Sequence, residues 1–417
     1  MSRLPFRERL GPLVERDYRL FFSATTVTTL GDSVSGIALV FAVLHLTHNN
    51  PVDVGIVLGV RTVANTLMVL VGGVISDRLP RNRVLVGASL VQGAAQAATA
   101  AVVLSGDATI ALLIAIQALY GAADGFVIPA QTGLVPQTVT PARLQQGNAL
   151  LGLSRNFVFI LGPAIGGTIV AVSSPGIALA ADAASFVGAA LLLARIRIAP
   201  REALAGLRFF HELREGWREF TSRTWLWSTV VIFGLGNIFF MFWPVLGPTI
   251  ERAKHGEHGG AKVWGAILAV NGIGAVIGGL VSLRYKPRLP LVACILWPTL
   301  ISLQLGALAL GLPAWVIAGA SFFGGLSIAV HLTLWFTVFQ REVPEHAQSR
   351  VSSYDSLGSF VLTPLGLVLA GVMAHAIGTS NALWLAAGAI LVGNTSMLLI
   401  PSVWKICREP PPTTIAA

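Results

Sequence analysis

Charge is what this sequence has least of. Of 417 residues, 11% are Asp, Glu, Lys or Arg, where a soluble domain carries roughly 25%. So few charges cannot cover a water-facing surface, which excludes a soluble enzyme. Cysteine is nearly absent as well: Cys294 lies in an apolar run and Cys407 in the C-terminal tail. Two such residues make neither a disulfide framework nor a metal-ligand spacing. A phosphate-binding Walker loop is missing, so ATP is not the energy source. No Ser-His-Asp set can be assembled in one place. The glycines at 272 and 274 run on into Gly278 and Gly279, which reads as helix packing and not as a dinucleotide loop. His255 and His258, near Glu251 and Glu257, lack ligand-like spacing on a rigid element. The expectation is a protein that is not an enzyme and holds no cofactor or metal.

What the sequence has instead is apolar length. Hydrophobic residues make up 54% of the chain and the mean hydropathy is +0.74. Runs of about 20 apolar residues recur, each long enough to cross a hydrocarbon core of roughly 30 Å. Long blocks of this kind argue for helices and against a transmembrane barrel, whose strands alternate. The predicted helices are 18–46, 52–76, 82–105, 108–135, 143–171, 176–195, 225–250, 263–283, 289–311, 314–340, 351–376 and 381–404. No cleavable leader is read in the first 20 residues, since the apolar run after them is long and contains Asp32.

The net charge of +9 is a matter of topology and not of nucleic acid. Of 28 Lys and Arg, 23 fall in the termini and loops of one side and three (Arg252, Lys254, Lys262) on the other. Arg61 and Arg155 lie inside apolar runs. By the positive-inside rule the rich side is cytoplasmic. Both termini then lie inside, which requires an even number of crossings, and twelve fits. The expected organisation is an N-terminal six-helix bundle at 1–195, a cytoplasmic linker at 196–224 and a C-terminal bundle with a short tail at 225–417. In the linker, Phe210, Leu213, Trp217 and Phe220 share one helical face among Arg and Glu, as in a helix lying on a membrane surface.

The two halves repeat each other. The stretch from Gly72 to Arg83 ends span 2, and the stretch from Gly278 to Arg288 ends span 8, offset by 206 residues. Each runs into a loop with three cations. Pro163 and Pro364 occupy matching places in spans 5 and 11. Such duplicated six-helix units are a transporter architecture with the binding site near midplane. The block Gly73-x-x-x-Asp77-Arg78-x-x-Arg81 resembles the loop 2–3 motif of the major facilitator superfamily, with Pro80 where glycine is usual. The run Gly162-Pro163-Ala164-Ile165-Gly166-Gly167 is similar to the core of that superfamily's antiporter motif, which implies export. Three further blocks resemble the branch of enterobactin exporters and macrolide efflux pumps. They are Leu30-Gly31-Asp32-Ser33, Gly125-Phe126-Val127-Ile128-Pro129-Ala130 and Ser154-Arg155-Asn156. Gln117 stands near where many drug/proton antiporters carry an arginine. The resemblance implies a monomer.

The ionisable residues inside spans carry most of the functional information, because an uncompensated charge in hydrocarbon is costly and marks an ion or substrate path. They are Asp32, Arg61, Asp124, Arg155 and Asp182, all in the N-terminal half. Arginine keeps its charge, whereas a buried carboxylate is able to load and release a proton. Asp32 and Asp124 are expected to handle protons with Arg155 as tuning partner. Arg61 and Asp182 read equally as a structural or outer-gate pair. Asp77 and Arg78, with Gly73 and Arg81, are expected to gate the cytoplasmic side. There Asp77 would pair with Arg143 or Arg350, or cap the start of span 11. Gly162, Gly166 and Gly167 allow close helix approach, and Pro163 is able to bend span 5.

The C-terminal half has almost no acid in its spans, Asp355 excepted, and offers an apolar wall for a bulky ligand. The candidate pocket residues are Asn237, Phe240, Trp243, Asn271, His331 and Trp335. The expected function is proton-driven export of a small, partly hydrophobic compound (a drug, an antibiotic or a siderophore-like metabolite) from a bacterial plasma membrane. Its partners would be that compound, protons and membrane lipids. An importer or uniporter of a nutrient, and a non-transporting membrane sensor on the same scaffold, stand as alternatives.

Overall fold

A computed structural model describes residues 11–198 and 209–407, with backbone alone at positions 70, 74, 77, 209–213, 215, 345, 346, 349 and 350. The described residues form helices and no strand. In hydrocarbon every backbone N–H and C=O needs a partner inside its own segment, so long apolar blocks fold as helices. Six elements of the first half follow in order: α1 (Arg16–Leu46), α2 (Pro51–Arg78), α3 (Arg81–Ser105), α4 (Ile110–Asp124) continuing into α5 (Val127–Thr138), α6 (Leu144–Val172) and α7 (Pro175–Ala194). The short loops between them restart helices with local caps. Asn50, Thr109 and Ser174 each accept a hydrogen bond from the backbone N–H two or three residues on. Pro51 and Pro175 fill first-turn positions where the missing N–H costs nothing.

The second half begins with α8 (Phe209–Thr221), then α9 (Thr224–Phe240) and α10 (Phe242–Arg284). It continues with α11 (Pro290–Leu296), α12 (Ile301–Ala309), α13 (Ala314–Glu342), α14 (Glu345–Phe360), α15 (Thr363–Ile377) and α16 (Thr379–Ser396). Among the described residues, eleven stretches are long and apolar enough to cross a membrane. One of them, Thr224–Arg284, has 61 residues. At 1.5 Å per residue it would measure about 90 Å, three times the hydrocarbon thickness. Gly256, with a φ of 73°, breaks it. The two helices expected at 225–250 and 263–283 both lie in this stretch, which the count of eleven takes once.

The chain forms two compact units. The first holds residues up to Ala205 together with Glu251–Ala269, and the second holds Gly206–Ile250 and Val270–Ala417. The segment Glu251–Ala269 joins the first unit through polar contacts with the end of α1. Arg252 donates to the Leu44 carbonyl at 2.8 Å, and His45 Nδ1 meets Glu257 at 2.7 Å. In the second unit α8 docks on α14: Trp217 and Phe220 pack against the Tyr354 ring with centroids 5.3 and 5.9 Å apart. The side chains of Phe210 and Leu213 lie outside the described residues. Large apolar side chains stay exposed along the spans, including Leu67, Phe157, Val172 and Trp315, and hydrocarbon is the solvent that suits them.

Each unit is built around the same glycine-mediated helix crossing. In the first, a Cβ on Gly72 would stand 2.7 Å from the Gly125 carbonyl, and one on Gly125 would stand 2.7 Å from the Asn65 carbonyl. In the second, a Cβ on Gly278 would press on the Leu326 carbonyl, and one on Gly325 on the Asn271 carbonyl. Backbones approach this closely only where side chains are absent, a common device where helices associate in lipid. Gly72→Val is therefore expected to destabilise the protein by about 1–3 kcal/mol through overpacking. Gly36→Ala, whose Cβ meets nothing within 4 Å, should not lower stability. Thermal denaturation of the two variants in lipid nanodiscs checks this, and equal melting temperatures would contradict the crossing.

Candidate functional site

Polar residues on four helices of the first unit fall on stripes at helical spacing. They are Arg61 and Asn65 on α2, Gln92 and Gln96 on α3, Gln117, Tyr120 and Asp124 on α4, and Asp182 and Ser185 on α7. Residues three or four apart share a helix face, so each stripe presents a continuous polar edge to its neighbours. The glycine crossing brings α2 against α4 closely enough for the Arg61 guanidinium to lie 3.9 Å from the Tyr120 ring centroid. Desolvated cation–π contacts of this kind are worth about 2 kcal/mol. The Tyr120 hydroxyl donates to Asp32 Oδ1 on α1. Phe186 packs edge-on against the same ring, which fixes its orientation.

The other two carboxylates are held by amides. Asn65 donates to Asp124 Oδ2 at 2.8 Å and Gln92 to Asp124 Oδ1 at 3.2 Å. Gln96 donates to Asp182 Oδ2 at 2.7 Å and Ser185 to Asp182 Oδ1 at 3.2 Å. Gln117 donates to Gln96 Oε1 and to Thr99. Side-chain amides donate without adding charge, so they meet carboxylate lone pairs while leaving the charge balance unchanged. Arg61 is the cation that acts electrostatically on Asp32, Asp124 and Asp182 together. Asp182 is 1% exposed, and Asp32, Asp124 and Arg61 are half-buried.

Asp32, Asp124 and Arg155 line one cavity of about 200 Å³ together with Ser89, Gln92 and Gln131. Sites for drug-sized ligands measure roughly 300–1,000 Å³. This cavity therefore suits ions, water or one functional group, not an entire bulky compound. The three residues expected to work together thus face one space, with Arg155 exposed at its wall. Arg61 and Asp182 belong to the same network, linked by charge, while Asp182 takes its hydrogen bonds from Gln96 and Ser185. Tyr120, Asn65, Gln92 and Gln96 were not singled out from sequence. Their signal was there as spacing: Gln92 and Gln96 are four apart, and Tyr120 is four before Asp124.

The remaining sequence candidates fall elsewhere. Gly162 and Gly166 face α1, where a Cβ would meet Ser33 and Val34, and Gly167 faces Ala261 and Gly265. Pro163 lies within α6, which continues past it. Of the candidate gate residues, Gly73 has open space at its Cβ, Arg78 is exposed and Arg81 reaches the Ser76 carbonyl at 3.4 Å. The side chains of Asp77 and Arg350 lie outside the described residues. Arg143 pairs with Glu15 at 3.6 Å. In the second unit the polar candidates bond to their own neighbours. Asn237 donates to the Ser359 carbonyl, Asn271 to the Ser321 carbonyl and Trp335 to Asp355, while His331 Nδ1 meets the Cys294 carbonyl at 2.9 Å. Trp243 is buried and Phe240 half-buried.

Comparison with known proteins adds relatives and folds. The profile described as "Major Facilitator Superfamily" matches residues 21–360. The multidrug efflux pump Tap of Mycobacterium tuberculosis is 25% identical over 375 residues, covering 86% of this chain and 87% of its own length. Macrolide efflux protein A of Streptococcus pyogenes is 22% identical, with 81% and 82% covered. The enterobactin exporter EntS of Citrobacter koseri is 25% identical, with 95% and 94% covered. Among solved structures, a variant of the nucleoside transporter NupG aligns with a TM-score of 0.74 at 11% identity, covering 92% of this chain and 99% of that one. A bacterial homologue of the iron transporter ferroportin aligns at 0.70 and 16% identity, with 92% and 98% covered. At these identities the structural likeness carries the fold alone.

The amide clamp on Asp182 makes a measurable prediction. Gln96→Leu should cost about 1–3 kcal/mol, because it strips a buried carboxylate of a donor. Adding Asp182→Leu should recover much of that loss, since removing both partners is far cheaper than removing one. Thermal melts of the single and double variants decide it, and a double variant no more stable than the single one would contradict the clamp.

Proposed function

The chain belongs to the Major Facilitator Superfamily, and on that premise we propose that it is a secondary active exporter of a small, partly hydrophobic compound, driven by proton entry. The observation that carries this reading is the first unit's network. Tyr120, covered by the Arg61 guanidinium, donates to Asp32. Asp124 and Asp182 are held by neutral donors, and Asp32 and Asp124 face a cavity large enough for ions or water. Carboxylates held by neutral donors change charge by one proton at a time without rearranging a fixed ion pair. Asp32 and Asp124 are the groups that load and release the proton. Arg61, through Tyr120, sets the field they experience, and Arg155 lines the route to them. The outward direction rests on relatives named for efflux of multiple drugs, of macrolides and of enterobactin, and on the antiporter-like glycines of α6.

The rest of the reading follows from topology. Counting Thr224–Arg284 as two crossings gives twelve, with both termini on the Arg-rich cytoplasmic side of a bacterial plasma membrane. Residues 1–195 and 225–417 are then the two bundles, joined by the linker at 196–224, in a protein that acts as a monomer. Gly73, Asp77, Arg78 and Arg81 gate the cytoplasmic mouth. The aromatic faces of the second half, with Phe240, Trp243 and Trp335, supply apolar contact for the bulk of the compound.

Everted membrane vesicles test the proposal. With respiration acidifying the lumen, the wild type should accumulate a substrate from a panel of erythromycin, tetraphenylphosphonium and a catecholate siderophore. A protonophore should abolish that uptake. Asp124→Asn should lose the energised uptake while reaching the membrane at wild-type level. Uptake that persists in the protonophore, or that Asp124→Asn leaves unchanged, would sink the coupling assignment.

A further inference from the structure

The two units share one helix crossing, so they are comparable residue by residue. The carbonyls of Asn65 and Asn271 receive Gly125 and Gly325 respectively. Asn65 and Asn271 are 206 residues apart, the same offset that relates Gly72 to Gly278. Aligning Gly125 with Gly325 sets Asp124 against Gly324. Where the first unit has a carboxylate with two amide donors, the second has no side chain at all.

The space beside Gly324 belongs to Gln304 of α12. A Cβ added at Gly324 would run into the Gln304 amide. Gln304 is 1% exposed, and neither its Nε2 nor its Oε1 has a hydrogen-bond partner among the described residues. One turn before Gly324 on the same face of α13 stands Ser321, fully buried, with its hydroxyl also unpartnered. The neighbouring groups are already engaged: Asn271 donates to the Ser321 carbonyl at 2.8 Å, and Ser327 donates to the Gly324 carbonyl at 2.7 Å. α12 and α13 both lie in membrane-crossing stretches, where bulk water does not reach a buried amide. The Gln304 amide and the Ser321 hydroxyl offer donors and acceptors without charge, and buried polar groups of this kind ordinarily have partners.

We propose that Gln304 and Ser321 form a neutral binding site in the second unit that holds an uncharged hydroxyl, either of an ordered water or of the transported compound. The amide offers a donor and an acceptor side by side, and the serine hydroxyl offers either role, which matches a hydroxyl and gives a cation or a carboxylate no countercharge. The site is thus the uncharged counterpart of the Asp124 site on the same crossing. Its substrate arm rests on the export reading, whereas its water arm does not.

Two measurements test it. Gln304→Met keeps the side-chain length and removes both polar atoms. If a hydroxyl is bound, the purified variant in nanodiscs should melt roughly 2–4 °C lower than wild type, and Ser321→Ala should lower the melting temperature in the same direction. If Gln304 is simply an unsatisfied amide, Gln304→Met should melt at or above the wild-type temperature both without compound and with saturating erythromycin, and that result overturns the site. The source of the hydroxyl is then read from transport. Gln304→Met should raise the KM for erythromycin, which carries hydroxyls, about three- to tenfold and leave that for tetraphenylphosphonium unchanged if the compound supplies the group. Unchanged KM values beside a lowered melting temperature assign it to water. Should no probe be transported by the wild type, the export reading fails while the melting comparison still decides the site.

Discussion

Arg61 is the residue on which the first unit's interior depends, because a guanidinium cannot shed its charge and hydrocarbon does not tolerate an unpaired one. It sits over the Tyr120 ring and acts on Asp32, Asp124 and Asp182. The helix crossing at Gly72 and Gly125 makes that placement available by bringing α2 onto α4. Asp32 accepts from Tyr120, and Asp124 and Asp182 accept from Asn65, Gln92, Gln96 and Ser185. None of these adds charge, so in the proposed coupling the charge of the network changes by protons. Backbone geometry, side-chain chemistry and the proposed coupling are in this way one chain of causes.

The second unit repeats the crossing and discards the charge. Gly325 lies on the Asn271 carbonyl as Gly125 lies on that of Asn65, yet Asn271 bonds to backbone and Gly324 stands in the place of Asp124. Asp355, an acid within one of its spans, accepts from the Trp335 indole inside an aromatic cluster that includes Trp225 and Phe233. The duplicated units thus keep one packing solution while diverging in polarity.

Much of the fold was legible because hydrocarbon thickness imposes it. The helices read at 18–46 and 176–195 became Arg16–Leu46 and Pro175–Ala194, since apolar length and local caps decide both ends. The continuous stretch Thr224–Arg284 was not legible, and neither was the grouping of Glu251–Ala269 with the first unit. Both depend on tertiary contacts, such as Arg252 on the Leu44 carbonyl, that no periodicity encodes. Among the candidate residues, the five charges stood out because charge inside an apolar run is rare. Their neutral partners did not, since a glutamine on a helix is unremarkable until the rotation of that helix is known. Gln92 and Gln96 gained meaning only when α3 turned them toward Asp124 and Asp182. For the same reason Asn237, Asn271 and His331 looked available in sequence but bond to neighbouring backbone in the structure.

The most direct test of the shared cation is a double-mutant cycle between Arg61 and Asp32, read as thermal stability in lipid nanodiscs. Arg61→Met alone should destabilise the protein strongly, because it leaves three acids without their cation. Asp32→Asn added to it should restore a large part of the loss, giving a coupling energy of about 0.5–3 kcal/mol. Strictly additive losses would contradict the account, since they would mean that Arg61 and Asp32 do not belong to one electrostatic unit.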